Sequence, residues 1–403
     1  MPDPLHLAVA LDGAGWHPAA WREPDARPAE LFTAGYWADL VREAEAGLLD
    51  LITLEDSLAL QSDDRFRPND RTDWVRGRLD AVLVAARVAP LTRNIGLVPT
   101  ALVTHTEPFH LSKAIATLDF VSGGRAGVRV QVSLAQHEAR LVGRREFPEL
   151  TRVDRDDPAV QQVLRDAFDE AADWVEVVRR LWDSWEDDAE IRDVATGRFI
   201  DRDRLHYIDF EGRFFSVKGP SITPRPPQGQ PLVAALAHQR IPYELVASSA
   251  DLGFVTPRDA DDARAIASEV RQAQEAAGRA GEQVHVFGDV VVFLDDDAAA
   301  ARARKERLDE RAGAEYRSDA LAFAGTPADL ADLLQEWAAA GLTGFRLRPG
   351  ALPHDLTAIT RGLVPELQRR GAFRNAYEAT TLRGLLGLPR PASRYARNDA
   401  VVA

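Results

Sequence analysis

The feature that most constrains this chain is a repeated alternation of short apolar runs with longer amphipathic stretches. Short apolar runs bounded by turn residues read as buried strands, and amphipathic stretches of ten or more residues read as helices. Eight runs stand out, at 5–11, 49–57, 94–102, 127–133, 231–236, 252–256, 284–294 and 343–349. Strands that alternate with helices predict parallel βαβ units. An open doubly wound sheet is the competing architecture, but no G-x-G-x-x-G follows the first run, which counts against a dinucleotide-binding core. The predicted fold is therefore α/β, a (β/α)8 TIM barrel forming a single domain over residues 1–403.

Two segments interrupt the pattern and are expected to be insertions, at about 134–165 and 195–229. The first is charged and irregular. The second alternates aromatics with Pro and Gly, and predicts a hairpin inserted over one face, enclosing the barrel mouth. Residues 166–187 are strongly periodic, and Trp174, Trp182 and Trp185 at helical spacing predict core packing. The stretch between 295 and 342 reads as a charged helical region.

Composition removes several classes of function. Sixty-three Asp and Glu against 49 Lys and Arg give a net charge of −14, which argues against nucleic acid and against an anionic membrane surface. With no cysteine there is no disulfide, thiolate nucleophile or cysteine-ligated metal. No run approaches the ~18 apolar residues of a membrane span, and the start lacks a basic leader, so a cytoplasmic location is expected. The nine histidines form no H-E-x-x-H, and no metal site is expected. A P-loop and a G-x-S-x-G elbow are also missing.

In a barrel, chemistry sits at the C-terminal ends of the strands. That rule selects His17, Glu55, Asp56, Thr100, Thr104, His105, Arg129, Gln131, Ser133, His238, Gln239 and Arg348. Glu55 and Asp56 are adjacent, so only one can face the mouth, and a helix cap or a salt bridge explains them as well as acid–base work does. Arg129 and Gln131 interrupt a strand that should be inside. A buried guanidinium without a partner costs several kcal/mol, so Arg129 must face an anion or a carboxylate, and Asp56 is one internal candidate.

Several stretches together carry a family resemblance: "HPAAWR" (17–22), "GLLDLITLEDS" (47–57), "EPFHLSKAIATLDFVSGGRAG" (107–127), "LWDSWEDDA" (181–189) with "GPSITPRPPQGQP" (219–231), and "PELQRRGAFRNAYEATTLRGLLGLPRP" (365–391). The chain resembles the bacterial luciferase-like flavin monooxygenases, in the branch containing the nitrilotriacetate, EDTA and dibenzothiophene-sulfone monooxygenases. The resemblance implies a TIM-type barrel, a dimer or tetramer, and oxygenation of a small organic substrate. The cofactor implied is reduced FMN from a separate NAD(P)H:flavin reductase, meeting O2 in a site closed to water.

The pocket departs from the family pattern. Where the fourth strand of that branch reads G-W-N-V-V-T-S, this chain has Gly127-Val128-Arg129-Val130-Gln131-Val132-Ser133. Of the Asn, Thr and Ser that contact the flavin or line its pocket in that branch, the Asn position is Arg129, the Thr position is Val132, and only the serine, Ser133, is kept. The usual tyrosine opening the next long helix is Phe168, the Q-A-G-S-S after the fifth strand is Ala235-Leu236-Ala237-His238-Gln239, and a later glycine is Pro242. Two readings stay open. Flavin is held by altered contacts, with Asp56, Thr100, Thr104, Arg129, Gln131, Ser133, His238 and Gln239 around it and His17 and His105 handling protons. In this reading Arg129 grips the phosphate or a flavin carbonyl, and His238 and Gln239 donate to the phosphate. Otherwise the FMN site has degenerated and the chain is a flavin-free homologue or partner subunit; an F420-dependent oxidoreductase is a further option.

Overall fold

The structure, a computed structural model, describes residues 4–62, 64, 67–148 and 157–396. Eight parallel strands close into a barrel: β1 His6–Leu11, β2 Leu51–Leu54, β3 Gly96–Leu102, β4 Gly127–Gln131, β5 Leu232–Ala237, β6 Leu252–Val255, β7 His285–Leu294 and β8 Gly344–Pro349. Each coincides with one of the eight apolar runs. Parity explains their composition: along β4, Val128 and Val130 face the helices, while Arg129 and Gln131 face the lumen.

The seam between β6 and β7 is split. β7 pairs with β6 only over its lower half, His285–Gly288. Its upper half, Val290–Leu294, pairs instead with a ninth parallel strand, Leu321–Gly325, which lies within the stretch whose charge pattern predicts helix. The helix after it, Pro327–Ala339, starts on a capping box in which Thr326 and Asp329 satisfy each other's backbone N–H, with proline at its first position.

The long helix Pro158–Asp183 begins on an Asp157 cap and buries Trp174 and Trp182, whose indoles donate to the carbonyls of Thr106 and Ser112. Residues 149–156 of the first expected insertion lie outside the described residues. The second contains an antiparallel pair, Phe210–Glu211 with Ser216–Val217, and begins within another, Glu190–Asp193 with Arg198–Ile200. It does not hood the mouth. Ile208 and Phe210 pack against Val177 and Leu181 on the outside of the long helix, because that helix offers an apolar stripe where the mouth offers charge.

The lower end of the lumen is closed by the C-terminal segment. Leu382, Leu386 and Leu388 pack with Ala8, Leu51, Val98, Leu232, Phe254 and Phe287. Gly96 must lack a side chain here, since a Cβ would lie 2.4 Å from Leu382. Among the described residues no helix is long and apolar enough to cross a membrane.

Candidate active site at the barrel mouth

Above that apolar plug the lumen is ionic. Arg129, Arg346 and Arg348 project inward beside Glu55, Asp289 and Asp319. Arg129 pairs with Glu55 and donates through Nε to Thr100 Oγ1 (3.0 Å) and through Nη2 to Gln131 Oε1 (3.0 Å). Arg346 binds both oxygens of Asp289 and reaches Glu55 at 3.3 Å. Arg348 shares Asp289 and extends to Asp319 at 2.6 Å, which in turn meets His238 Nε2 at 3.3 Å. Phe254 and Trp16 cover the Arg346 and Arg348 guanidiniums at 4.2 and 4.6 Å.

Three cations against three carboxylates leave this layer neutral, which is what permits its burial. Burial and the two neighbouring guanidiniums lower Arg129 to about 10 against the pull of Glu55, so it is a cation at neutral pH. Burial alone would raise Asp289, but Arg346 and Arg348 hold it below the usual carboxylate range.

The partner of Arg129 is thus Glu55 and not Asp56. Adjacent residues on a strand face opposite ways: Glu55 turns into the lumen, while Asp56 accepts the backbone N–H of Ser57 (2.8 Å) and of Ala81 (3.0 Å), the first residue of the helix Ala81–Val88. Burial raises the Asp56 carboxyl. The helix cap and the salt bridge anticipated as alternatives are both present, one on each residue. Breaking a buried pair costs ~3–5 kcal/mol, so a phosphate that drew Arg129 away from Glu55 would have to overcome that loss.

Over the ionic layer lies a cavity of about 580 Å3, walled by the segments after β1, β2 and β4 and by residues 312–317. Gln131 and Ser133 border it. Glu138 ties two walls together, accepting from Ser57 Oγ (2.6 Å) and Ser133 Oγ, and Ser133 N–H donates to Thr104 Oγ1 at 3.0 Å. Neither Glu138 nor Asp56 has a cationic side chain in ion-pair contact among the described residues. A larger groove, about 830 Å3, opens between outer helices and takes in Phe168 and Arg240; it lies in the helical layer, outside the lumen.

The two candidate proton-handling histidines differ. His17 is buried with both nitrogens used: Nδ1 accepts from Ala19 N–H (3.1 Å) and Nε2 meets Asp309 (3.0 Å). His105, 9% exposed, has no hydrogen-bond partner at either nitrogen among the described residues. Burial lowers both pKa values, with Arg145 adding to the effect at His105. His238 lies at the end of β5 between Thr256 and Asp319, and Gln239 precedes the helix Arg240–Ser249 without a side-chain cap bond. Asp289, Asp319, Arg346 and Glu138 were not selected from the sequence. The signal for Asp289 and Arg346 was a charge inside a buried apolar strand or on alternate residues of one; Glu138 lies in the short helix Gln136–Val142, and Asp319 came in with the unread ninth strand.

A closed parallel barrel with its polar constellation at the C-terminal strand ends has the architecture of a TIM-barrel enzyme. The family model of the luciferase-like monooxygenases matches residues 16–344, so the chain belongs to that family of oxidoreductases. It is 30% identical to N-acetyl-S-(2-succino)cysteine monooxygenase of Bacillus subtilis (strain 168) and 30% identical to nitrilotriacetate monooxygenase component A of Aminobacter aminovorans, with 98% of both chains covered in each case. Among solved structures, long-chain alkane monooxygenase superposes with a TM-score of 0.82 at 22% identity, over 96% of each chain. A riboflavin lyase solved with modified FMN and riboflavin also gives 0.82, at 23% identity over 98% of each.

Proposed function

We propose that this chain is the oxygenase component of a two-component flavin monooxygenase acting on a small organic molecule. The observation that carries the reading is the cavity of about 580 Å3 at the strand ends, within the ~300–1,000 Å3 usual for ligand and cofactor sites. Reduced FMN bound there supplies electrons for activating O2, and the protein's part is to bind, orient and exclude water.

The donor set suits the ring of a flavin: Gln131 borders the cavity, Ser133 borders it with its hydroxyl given to Glu138, and the buried His105 has no hydrogen-bond partner at either nitrogen among the described residues. The phosphate is a poorer match to the lumen, where each guanidinium is already neutralised. We place it instead at the end of β5, where Gln239 and the first-turn N–H groups of the helix Arg240–Ser249 can receive an anion, with His238 beside them but held between Thr256 and Asp319; Pro242 removes one donor from that turn. Thr100 and Thr104 act behind this surface, through Arg129 and Ser133. His105 is the better proton-handling candidate, because His17 is already bound at both nitrogens.

The walls also bear on the substrate. Two relatives are named for polycarboxylates, nitrilotriacetate and N-acetyl-S-(2-succino)cysteine. Here carboxylates outnumber the guanidiniums of Arg71, Arg78 and Arg317 on the cavity wall, and neither Glu138 nor Asp56 has an ion-pair partner among the described residues, so a polyanion is disfavoured and a neutral or cationic molecule fits better.

Anaerobic titration with dithionite-reduced FMN tests the reading, with reduced F420 run alongside. Saturable binding of FMNH2 below ~100 μM is expected, a ceiling generous for a working cofactor site; no binding there overturns the proposal. The neutralised lumen favours one competing reading, a partner subunit with a degenerate pocket, and the same null titration would support it.

A further inference from the structure

Arg129 and Gln131 occupy successive inward positions of β4, and the bond between them has only one possible polarity. A guanidinium carries donors alone, so the Gln131 atom facing Nη2 at 3.0 Å is the carboxamide oxygen. The carboxamide is planar, and fixing its oxygen fixes its nitrogen. That nitrogen has no acceptor among the described residues, and Gln131 borders the mouth cavity. Arg129 cannot readily turn, being 1% exposed and held by Glu55 and Thr100.

We propose that Arg129 is a positioning residue: its ion pair with Glu55 locks the Gln131 carboxamide with its NH2 toward the mouth, where it donates to a carbonyl oxygen of the flavin ring. This rests on the flavin reading above and goes beyond it by giving each residue a separate role. Charge selects a ring carbonyl over the phosphate. Gln131 looks onto a cavity bordered by six carboxylates, Asp56 and Glu138 among them, against the three guanidiniums of Arg71, Arg78 and Arg317, so a dianion is less favoured there than a neutral carbonyl. Unlike the serine hydroxyl nearby, an amide held by its oxygen can only donate, so the position discriminates against an occupant that presents a donor of its own.

The experiment is an anaerobic titration of the full chain with dithionite-reduced FMN and with reduced riboflavin, which lacks the phosphate, followed by flavin absorbance and fluorescence. Gln131→Met and Gln131→Glu remove the donor, and each is expected to weaken both flavins about three- to ten-fold, the effect of one hydrogen bond, with the Tm of unliganded protein little changed. The double variant Arg129→Met/Glu55→Gln keeps the lumen neutral and frees the carboxamide to turn. It is expected to weaken both flavins by a similar factor, and adding Gln131→Met to it to cost little more, because the two residues act through one contact. If the double variant does not fold, Arg129→Lys, which keeps the charge but not the fork, carries the same comparison. Unchanged affinity in the Gln131 variants overturns the proposal, as does a loss confined to FMN or strict additivity of the two lesions. Failure of the wild type to bind either flavin would instead overturn the flavin reading itself.

Discussion

The two ends of one lumen are filled by opposite means. At the N-terminal end, side chains from the strands and from the C-terminal segment make an apolar plug around Leu382, Leu386, Phe254 and Phe287. At the C-terminal end, three guanidiniums and three carboxylates interlock beneath the cavity. Apolar filling is non-directional and tolerates small shifts. An ionic layer holds only if every charge keeps its partner, and it fixes the direction of each donor it touches. The lower end therefore secures the fold, and the upper end orients what borders the mouth.

The strongest way to break this comparison is at Asp289, which is fully buried and serves both Arg346 and Arg348. Asp289→Asn keeps the shape and removes the charge. A loss of ~3–5 kcal/mol in urea unfolding is expected, the cost of stranding a buried charge, together with weakened flavin binding as Glu55 is drawn toward the freed arginines. Wild-type stability in this variant would mean the layer is not mutually dependent. At the other end, Leu382→Ala should cost about 3 kcal/mol through the cavity it leaves under Gly96, and flavin affinity should not move. If flavin affinity fell with it, the two ends would not be separable.

The barrel was legible because its strands are buried on both faces and so read as near-continuous apolar runs; all eight were visible. The ionic layer was legible only in fragments. Arg346 and Arg348 alternate with Phe345 and Leu347, a period of two that points both charges one way, and Asp289 interrupts "VFGDVVVFL". Pairing them needs the fold, since Arg346 lies 57 residues from Asp289 and 291 from Glu55. Glu55 and Asp56 could be told to diverge, but not which would face inward. The strand Leu321–Gly325 was missed among charged helices although its exit, Thr326-Pro327 with Asp329, carries a helix-start signal. The segment 195–229 was expected over the mouth because aromatic alternation says that a hairpin needs a surface, not which surface.

The mildest expected effect sharpens the comparison from the apolar end. His285 is 1% exposed there, its Nε2 on the Leu386 carbonyl (2.8 Å) and its Nδ1 on Thr343 Oγ1 (3.1 Å). A carbonyl only accepts, so Nε2 carries a proton, and the neutral ring has Nδ1 free to accept from the Thr343 hydroxyl. Burial, reinforced by His6, lowers its pKa from 6.5 to about 4. Between those values the unfolded chain binds a proton that the folded chain refuses, so stability falls as pH drops below 6.5 and levels off below about 4. From pH 7 to pH 5 this amounts to ~2 kcal/mol, each tenfold difference in proton affinity between the two states being worth about 1.4 kcal/mol. Asp119 works the other way: burial raises it to about 6, so it gains stability on acidification, and the wild-type curve alone would blur the two. Urea unfolding of wild type and His285→Gln at both pH values isolates the histidine. The gap between them should narrow by about 2 kcal/mol on going from pH 7 to pH 5. A gap that stays constant would mean that His285 takes up a proton in the folded barrel, and that the lower end is not the dry plug its apolar lining implies.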